Sequence, residues 1–177
     1  MPPAAASRPP VGGWLTHDEE AAWKAVAMLL LQLPGPLDAQ LRRDSGLTLF
    51  DYLVLSSLSM APGGELPMSE LARLANGSLS RLSNVVKRFE LRGWVSRRAD
   101  PTDGRVTVAV LTPAGRDVVV AAAPGHVDAV RRHVLDPITI AQQRTLVAAA
   151  DRISATLDRS CSVPGADPDE SGGSEPG

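Results

Sequence analysis

Residues 78–105 read SLSRLSNVVKRFELRGWVSRRADPTDGR, and this basic stretch decides the fold. It holds seven Lys or Arg and three Asp or Glu, which leaves a net charge of +4. The whole chain of 177 residues has a formal net charge of −2, so the rest of the protein is acidic. A cationic segment in an acidic protein indicates a polyanionic partner, and DNA is the commonest polyanion.

The first half of this stretch has the spacing of an amphipathic helix. Leu79, Leu82, Val86 and Phe89 recur at intervals of three and four residues and predict one buried face. Short polar side chains at the start of the other face suit base edges, and basic side chains further along suit phosphates. An ordinary surface helix with a solvated basic face has the same pattern, so the helix alone leaves both interpretations open. The predicted DNA contacts of the helix and its N-cap are Ser78, Ser80, Arg81, Ser83, Asn84, Lys87 and Arg88.

A two-stranded hairpin with a charged tip is predicted next. Strands are expected over residues 94–99 and 105–111, because residues 100–104 are turn formers and the second segment alternates apolar with polar positions. Val106, Val108 and Val110 are predicted to share its half-buried face. Arg105 at the tip suits a narrow minor groove, whose negative potential attracts arginine, and Asp103 is expected to hold the Arg105 guanidinium. The predicted DNA contacts of this wing are Arg97, Arg98, Asp103 and Arg105; a hairpin with a stray surface ion pair is the alternative.

A helix-turn-helix is predicted upstream of the hairpin. Residues 68–75 indicate a short helix, and Asn76-Gly77 indicates a tight turn before Ser78 caps the basic helix. With the hairpin, the motif becomes winged. The runs SELA (69–72), FELRGWV (89–95), DPTDGR (100–105) and LTPAGR (111–116) stand in an order and spacing that resembles the MarR family of bacterial transcriptional regulators. The resemblance extends from about Thr16 to Leu157.

Local signals predict the remaining helices. Capping patterns begin three of them, and the paired residues are Thr16 with Glu19, Thr48 with Asp51, and Thr139 with Gln142. The first helix is expected to stop at residues 34–36 (PGP), with a short helix over 37–43 after it. A long helix should start at Thr112-Pro113, kink at Pro124-Gly125 and run toward His133. Leu66-Pro67 is expected to add one bridge residue to the wing.

Composition and pattern together predict a mainly α protein with a small β wing. Hydrophobic residues make up 44% of the chain but aromatic residues only 3%, which indicates a core of Leu, Val and Ala. The winged helix-turn-helix is expected to be flanked by N- and C-terminal dimerisation helices. The predicted division is a disordered tail over 1–13, a dimerisation region over 14–34 and 112–160, a DNA-binding domain over 35–111, and a second disordered tail over 161–177.

The terminal helices carry more apolar surface than a small core can cover, which indicates an interface between chains. The predicted dimer residues are Val26, Leu29, Leu30, Leu146, Ile153 and Leu157. The resemblance implies a homodimer on a pseudo-palindromic operator, most often as a repressor. It also implies a small aromatic or phenolic effector between the dimerisation helices and the DNA-binding lobe. Candidate pocket residues, for which plain packing is the alternative, are Trp14, His17, Trp23, Arg43 and Tyr52.

Other classes of function have little support in the sequence. The single cysteine, Cys161, rules out an internal disulfide, suits the reducing cytoplasm and is expected to be a bystander thiol. Neither a signal peptide nor an apolar run of membrane-spanning length is expected. The residues form no catalytic set, phosphate loop or metal-ligand spacing, so no enzyme, cofactor or metal site is predicted. The remaining alternative is a winged-helix module that binds a protein partner, and the basic excess favours DNA instead.

Overall fold

The computed structural model describes residues 13–161, with side chains as far as residue 157. The tails predicted over 1–13 and 161–177, including the side chain of Cys161, therefore lie outside the described residues apart from Gly13 and the Cys161 backbone. In chain order the elements are α1 (His17–Gln32), α2 (Pro34–Ser45), α3 (Leu49–Met60), β1 (Glu65–Pro67), α4 (Met68–Leu74), α5 (Leu79–Leu91), β2 (Val95–Ala99), β3 (Thr107–Leu111), α6 (Pro113–Val130) and α7 (Ile140–Cys161). This mainly α architecture with a small sheet confirms the predicted fold class.

The sheet is antiparallel, with β3 between β1 and β2. The single bridge expected at Leu66-Pro67 is a three-residue strand, and β3 begins at Thr107 rather than Arg105 because the tip turn is longer than predicted. The core residues of β3 are Ala109 and Leu111, which the sequence did not single out. Val108, which is buried, and Val110, which is half-buried, share the opposite face as predicted, and Val106 is half-buried just before the strand. That opposite face carries an ion pair between the two outer strands, described below, which covers the central strand.

The basic helix α5 is the recognition helix of the motif, and its apolar face is shifted from the predicted one. Leu82, Val85, Val86 and Phe89 are buried, at the spacing of one continuous helical stripe. Leu79 was predicted to be buried and is 53% exposed, because it is the first residue of the helix and lies beyond the edge of the core. The buried stripe fixes which side of α5 faces solvent.

The turn before α5 depends on close packing against α3. Asn76 adopts the left-handed conformation, with φ at 51°, which asparagine tolerates better than most residues. Gly77 is needed for a different reason: a Cβ there would lie 2.5 Å from Cε2 of Phe50. Ser78 then caps α5 by accepting a hydrogen bond from the Arg81 amide at 3.2 Å.

A partly buried ion pair ties α5 to α3. The guanidinium of Arg88 donates to Oδ1 of Asp51, whose side chain is only 8% exposed. Oδ2 of Asp51 accepts from the Thr48 amide at 3.1 Å, and the Asp51 amide donates to Oγ1 of Thr48 at 3.0 Å. The capping residue of α3 is thus also the anchor of α5, and both carboxylate oxygens are used.

Prolines lie at two sites where the sequence predicted a stop or a kink in a helix, and at one of them a helix start was wrong. As predicted, α1 ends just before the PGP run at 34–36, but this run also forms the first turn of α2, since proline at the first helical position loses no intrahelical hydrogen bond. The helix predicted over 37–43 accordingly spans Pro34–Ser45. At the other site, α6 continues through Pro124 as predicted and ends at Val130, where a π-helical turn at Arg131–Leu135 follows it. The kink at Pro124-Gly125 stays a prediction.

The chain divides into two compact units between His133 and Val134. The first unit contains α1 to α6 with the sheet, and the second contains α7. Within the first unit, α6 contributes Val119 and Ala122 to the same core as the recognition helix. The functional division predicted at residues 34 and 111 stays a prediction.

A contact between the buried ring of Tyr52 and the half-buried ring of His126 connects α3 with α6. The rings of Tyr52 and His126 lie with their centroids 4.4 Å apart. Burial lowers the pKa of His126 and raises the pKa of Tyr52. Nδ1 of His126 and Oε1 of Gln40 are both buried and have no hydrogen-bond partner within the described residues. The fold therefore favours the neutral form of His126.

Gly115→Ala should lower the free energy of unfolding by about 2 kcal/mol, in the range of overpacked cores. The new Cβ would lie 2.1 Å from the Trp94 carbonyl oxygen, which is backbone and cannot move alone. Urea unfolding at fixed protein concentration measures the change. Gly35→Ala is the control, because a Cβ there meets nothing within 4 Å and alanine favours the helix. Equal effects at both positions would contradict the steric argument.

Arg88→Ala should also lower the free energy of unfolding by about 2 kcal/mol, because hydrogen bonds to buried charged groups contribute about 1.5–3 kcal/mol. The substitution leaves Oδ1 of Asp51 buried without its partner. Lys87→Ala, at the neighbouring exposed position, should cost less than about 0.5 kcal/mol. If the two variants unfold at the same urea concentration, the pair does not anchor α5.

The burial of His126 should make stability depend on pH. The unfolded chain takes up a proton near the ordinary pKa of 6.5, whereas the folded chain does so only at lower pH. Full stability is therefore present above the unfolded pKa and declines as pH falls below it. Relative to His126→Phe, the wild type should lose unfolding free energy between about pH 7.5 and about pH 5.5. A difference that stays constant over this range would contradict the prediction.

Candidate nucleic-acid interface

The basic surface around α5 and the hairpin contains cations of two kinds. Three of the seven in residues 78–105 are held in ion pairs, namely Arg88, Arg97 and Arg98. The other four, Arg81, Lys87, Arg92 and Arg105, form no ion pair among the residues with described side chains and are exposed. These four are the charges available to an external polyanion.

The exposed face of α5 retains most of the predicted contacts. Ser80, Arg81, Asn84 and Lys87 are exposed, and Ser83 is half-buried. The remaining two predicted residues have structural partners: the Ser78 hydroxyl caps the helix, and the Arg88 guanidinium is bound to Asp51. A helix with small polar groups at its start and free cations beside them can meet base edges and phosphates together.

The two arginines of β2 hold the wing in place. Arg97 makes a bidentate pair with Glu90 of α5, at 3.0 Å from Nε to Oε1 and 2.6 Å from Nη2 to Oε2. The side-chain hydrogen bond to Glu90 raises the pKa of Arg97. Arg98 pairs at 2.7 Å with Glu65 of β1, across the central strand. Both were predicted as DNA contacts, and their carboxylate partners orient the hairpin against the helix and the sheet.

The tip of the wing is ordered by its own aspartates. Oδ1 of Asp100 accepts from the amides of Thr102 and Asp103 and from the Thr102 hydroxyl. These bonds, the Thr102 hydroxyl first, lower the pKa of Asp100. Asp103 was predicted to hold the Arg105 guanidinium, but its Oδ1 accepts from the Arg105 backbone amide at 3.0 Å. The carboxylate therefore shapes the turn, and the guanidinium stays exposed at the tip.

The predicted effector residues are not brought together in one place by any contact described. Tyr52 is buried against His126, while Trp14, His17 and Trp23 are exposed. The last of the five, Arg43, pairs with its neighbour Asp44 at 3.0 Å. Their role in binding an effector stays a prediction.

Sequence reasoning missed the residues that meet Tyr52 and the arginines. Gln40 and His126 come close to the buried tyrosine region from α2 and α6, and no local spacing links them to it. Glu65, Glu90 and Asp51 were not recognised as partners of the basic segment either. The only indication of such carboxylate partners in the sequence was the net negative charge of the rest of the chain.

The predicted dimer residues are exposed wherever their side chains are described. In α1 no residue is buried, and Val26, Leu29 and Leu30 face solvent. In α7, Leu146, Ile153 and Leu157 are likewise exposed. Over residues 13–161, no helix has the length and apolarity needed to cross a membrane, and no cluster of His, Cys, Asp and Glu could hold a metal ion.

Comparison with known proteins agrees with this geometry. The MarR family model matches residues 45–106, which include the helix-turn-helix and most of the wing. The chain is 40% identical to Sco3205, a MarR family transcriptional regulator from Streptomyces coelicolor solved in complex with DNA, over 81% of this chain and 94% of that one, with a TM-score of 0.75. It is 35% identical to AbsC, another MarR regulator of that organism, over 82% and 98% of the two chains, also with a TM-score of 0.75.

A curated relative gives the same result from sequence. The HTH-type transcriptional repressor Rv2887 of Mycobacterium tuberculosis is 34% identical over 110 residues, which are 62% of this chain and 77% of that protein. These matches confirm the resemblance drawn from the motifs. Regulators of this kind act by binding DNA and are not enzymes. The chain belongs to the MarR family of DNA-binding transcriptional regulators.

Proposed function

We propose that this regulator acts as a homodimeric repressor on a pseudo-palindromic operator, with one α5 helix in the major groove of each half-site. The observation that carries the proposal is the exposed polar start of α5 beside cations that form no ion pair with any acid whose side chain the structure describes. In a twofold dimer the two recognition helices lie about one DNA turn apart, so the half-sites repeat at that spacing. Operator symmetry then follows from protein symmetry.

The exposed apolar rows of α1 and α7 support the homodimer. Isolated apolar residues on a surface are normal, but contiguous rows mark an interface. α1 buries no residue within its own chain, although Val26, Leu29 and Leu30 would each gain from burial. Covering these side chains with the equivalent helices of a second copy removes them from water.

Different side chains have different proposed roles on DNA. Asn84 and Ser83 lie where base edges are read, and asparagine favours a bidentate contact with adenine. Lys87 suits a phosphate beside the groove. Arg105 enters the minor groove from the tip of the wing, where a narrow groove attracts arginine. The exposed guanidinium and the ordered turn at Asp100 and Asp103 support this role.

Repression and the effector are the finer parts of the proposal. Repression is supported by the similarity to Rv2887, which is a transcriptional repressor. The proposed effector is a small aromatic or phenolic compound that binds near Tyr52 of α3. Its ring lies beside His126 of α6, and both Nδ1 of His126 and Oε1 of Gln40 of α2 lack a hydrogen-bond partner among the described residues. A DNA-binding regulator of this kind is proposed to act in the cytoplasm, where its operator lies.

A mobility-shift titration tests the function. The probe is the DNA upstream of the regulator's own gene, and an equal-length random duplex is the comparison, each at two salt concentrations. Tight binding that survives competitor DNA and weakens with salt is the expected result. Failure to bind either duplex at low salt would favour the alternative, in which the winged helix binds a protein partner.

Arg105→Ala should weaken operator binding by about tenfold or more, because one well-placed arginine contact contributes about 1–3 kcal/mol. Asn84→Ala should instead alter the preference between operator variants that differ at one base pair. Arg131→Ala is the control, since Arg131 lies outside the basic stretch and pairs with Asp128. Unchanged affinity of the Arg105 variant at physiological salt would exclude the wing from the interface.

A further inference from the structure

A groove of about 510 Å³ lies beside the start of the recognition helix. Its walls come from α2, the first half of α3, the turn that precedes α5 and the first turn of α5 itself. Two arginines from distant parts of the chain, Arg42 and Arg81, line it together with Asp38, Phe50 and Asn76. Arg42 was not among the residues that the sequence suggested as DNA contacts.

Arg81 is held against the groove by an aromatic ring. Its guanidinium carbon lies 3.9 Å from the centroid of the Phe50 ring, which is a close cation–π contact. Phe50 is only 7% exposed, and its ring also fills the space beside Gly77. Because the ring cannot shift without disturbing the turn, the Arg81 side chain loses little further freedom when it binds a ligand.

Arg42 is held in the groove by a carboxylate. Its Nε donates to Oδ2 of Asp38 at 2.5 Å, while Oδ1 of Asp38 accepts from the Leu49 amide at 2.7 Å. Both oxygens of Asp38 are therefore engaged. The Nη groups of Arg42 have no hydrogen-bond partner among the described residues. The outer fork of this guanidinium remains free to donate to an anion.

The balance of charge in the groove is positive. Two guanidinium groups line it with a single carboxylate, which one of them already uses. Arginine forks match the geometry of phosphate oxygens, and phosphate contacts set the position of a protein on DNA. The groove also borders Asn76, next to the residues that begin α5. DNA whose major groove receives α5 would therefore bring its backbone to this point.

We propose that this groove binds one backbone phosphate of the operator, with Arg81 and Arg42 as its ligands and Phe50 as the residue that positions Arg81. The inference rests on the proposed function and adds a contact outside the recognition face. It assigns Arg81 to the backbone rather than to a base edge. Base readout by α5 is then left to Ser80, Ser83 and Asn84.

The test is a fluorescence-anisotropy titration of the full-length protein on the operator and on a random duplex of equal length, over a series of KCl concentrations. Arg42→Gln and Arg81→Gln should each weaken binding to both duplexes by about tenfold, as expected for a charge-assisted hydrogen bond. Each should also reduce the salt dependence by about one counterion. The ratio of the two affinities should stay unchanged. Arg131→Gln, which removes a comparable Arg–Asp pair elsewhere, should alter neither quantity.

A double-mutant cycle tests the positioning role. Phe50→Leu should weaken DNA binding when Arg81 is present but cause no further loss in the Arg81→Gln background. Circular dichroism establishes that each variant is folded at the assay temperature. Additive losses would show that Phe50 acts on stability alone and would overturn its positioning role.

Two other outcomes distinguish this inference from the function on which it rests. If the wild type binds the operator but both arginine variants keep its salt dependence, the phosphate site is wrong and the regulator function stands. A change in the operator-to-random ratio for Arg81→Gln would place Arg81 on a base edge instead. If the wild type binds neither duplex, both the function and the phosphate site fail.

Discussion

The Arg88–Asp51 ion pair is the interaction on which the DNA-binding surface depends. Asp51 is buried, so its charge requires a partner, and Arg88 is supplied by the recognition helix. The same carboxylate caps α3 through Thr48. One side chain therefore sets both where α3 begins and how α5 lies against it. The exposed face of α5 that stays available to a ligand, including Asn84 and Lys87, is what remains once Arg88 is bound to Asp51.

The other charged residues of the basic segment also fall into two groups: some hold the structure together, and the rest are free to contact DNA. Glu90 and Glu65 hold Arg97 and Arg98, which fixes the hairpin against α5 and β1. Asp100 and Asp103 shape the tip. Such exposed pairs contribute modestly to stability, but together they restrict the orientation of the wing. The cations without an ion pair therefore project from a helix and a hairpin whose relative orientation is fixed. This rigidity reduces the conformational entropy lost on binding DNA.

Much of the fold could be predicted because its signals are local. The capping boxes of α1, α3 and α7 form as expected, since each joins residues three positions apart. The left-handed Gly93 ends the recognition helix, and the hairpin follows where turn formers cluster. The misplaced start of α2 lies at Pro34, where the sequence does not distinguish the first turn of a helix from its interruption. The core residues Ala109 and Leu111 of β3 were missed because both faces of this central strand are covered, whereas its alternation predicted only one buried face.

The sequence by itself determined the order of the helices and strands, the basic character of residues 78–105 and the assignment of this protein to the MarR family. It did not determine which arginines are free. Arg88 and Asp51 are 37 residues apart, and Arg98 and Glu65 are 33 apart, so their pairing depends on which elements become neighbours. The stacking of Arg81 on Phe50 has the same origin. Local spacing encodes helices, turns and caps, whereas the partner of a charge is decided only when tertiary packing places distant segments side by side.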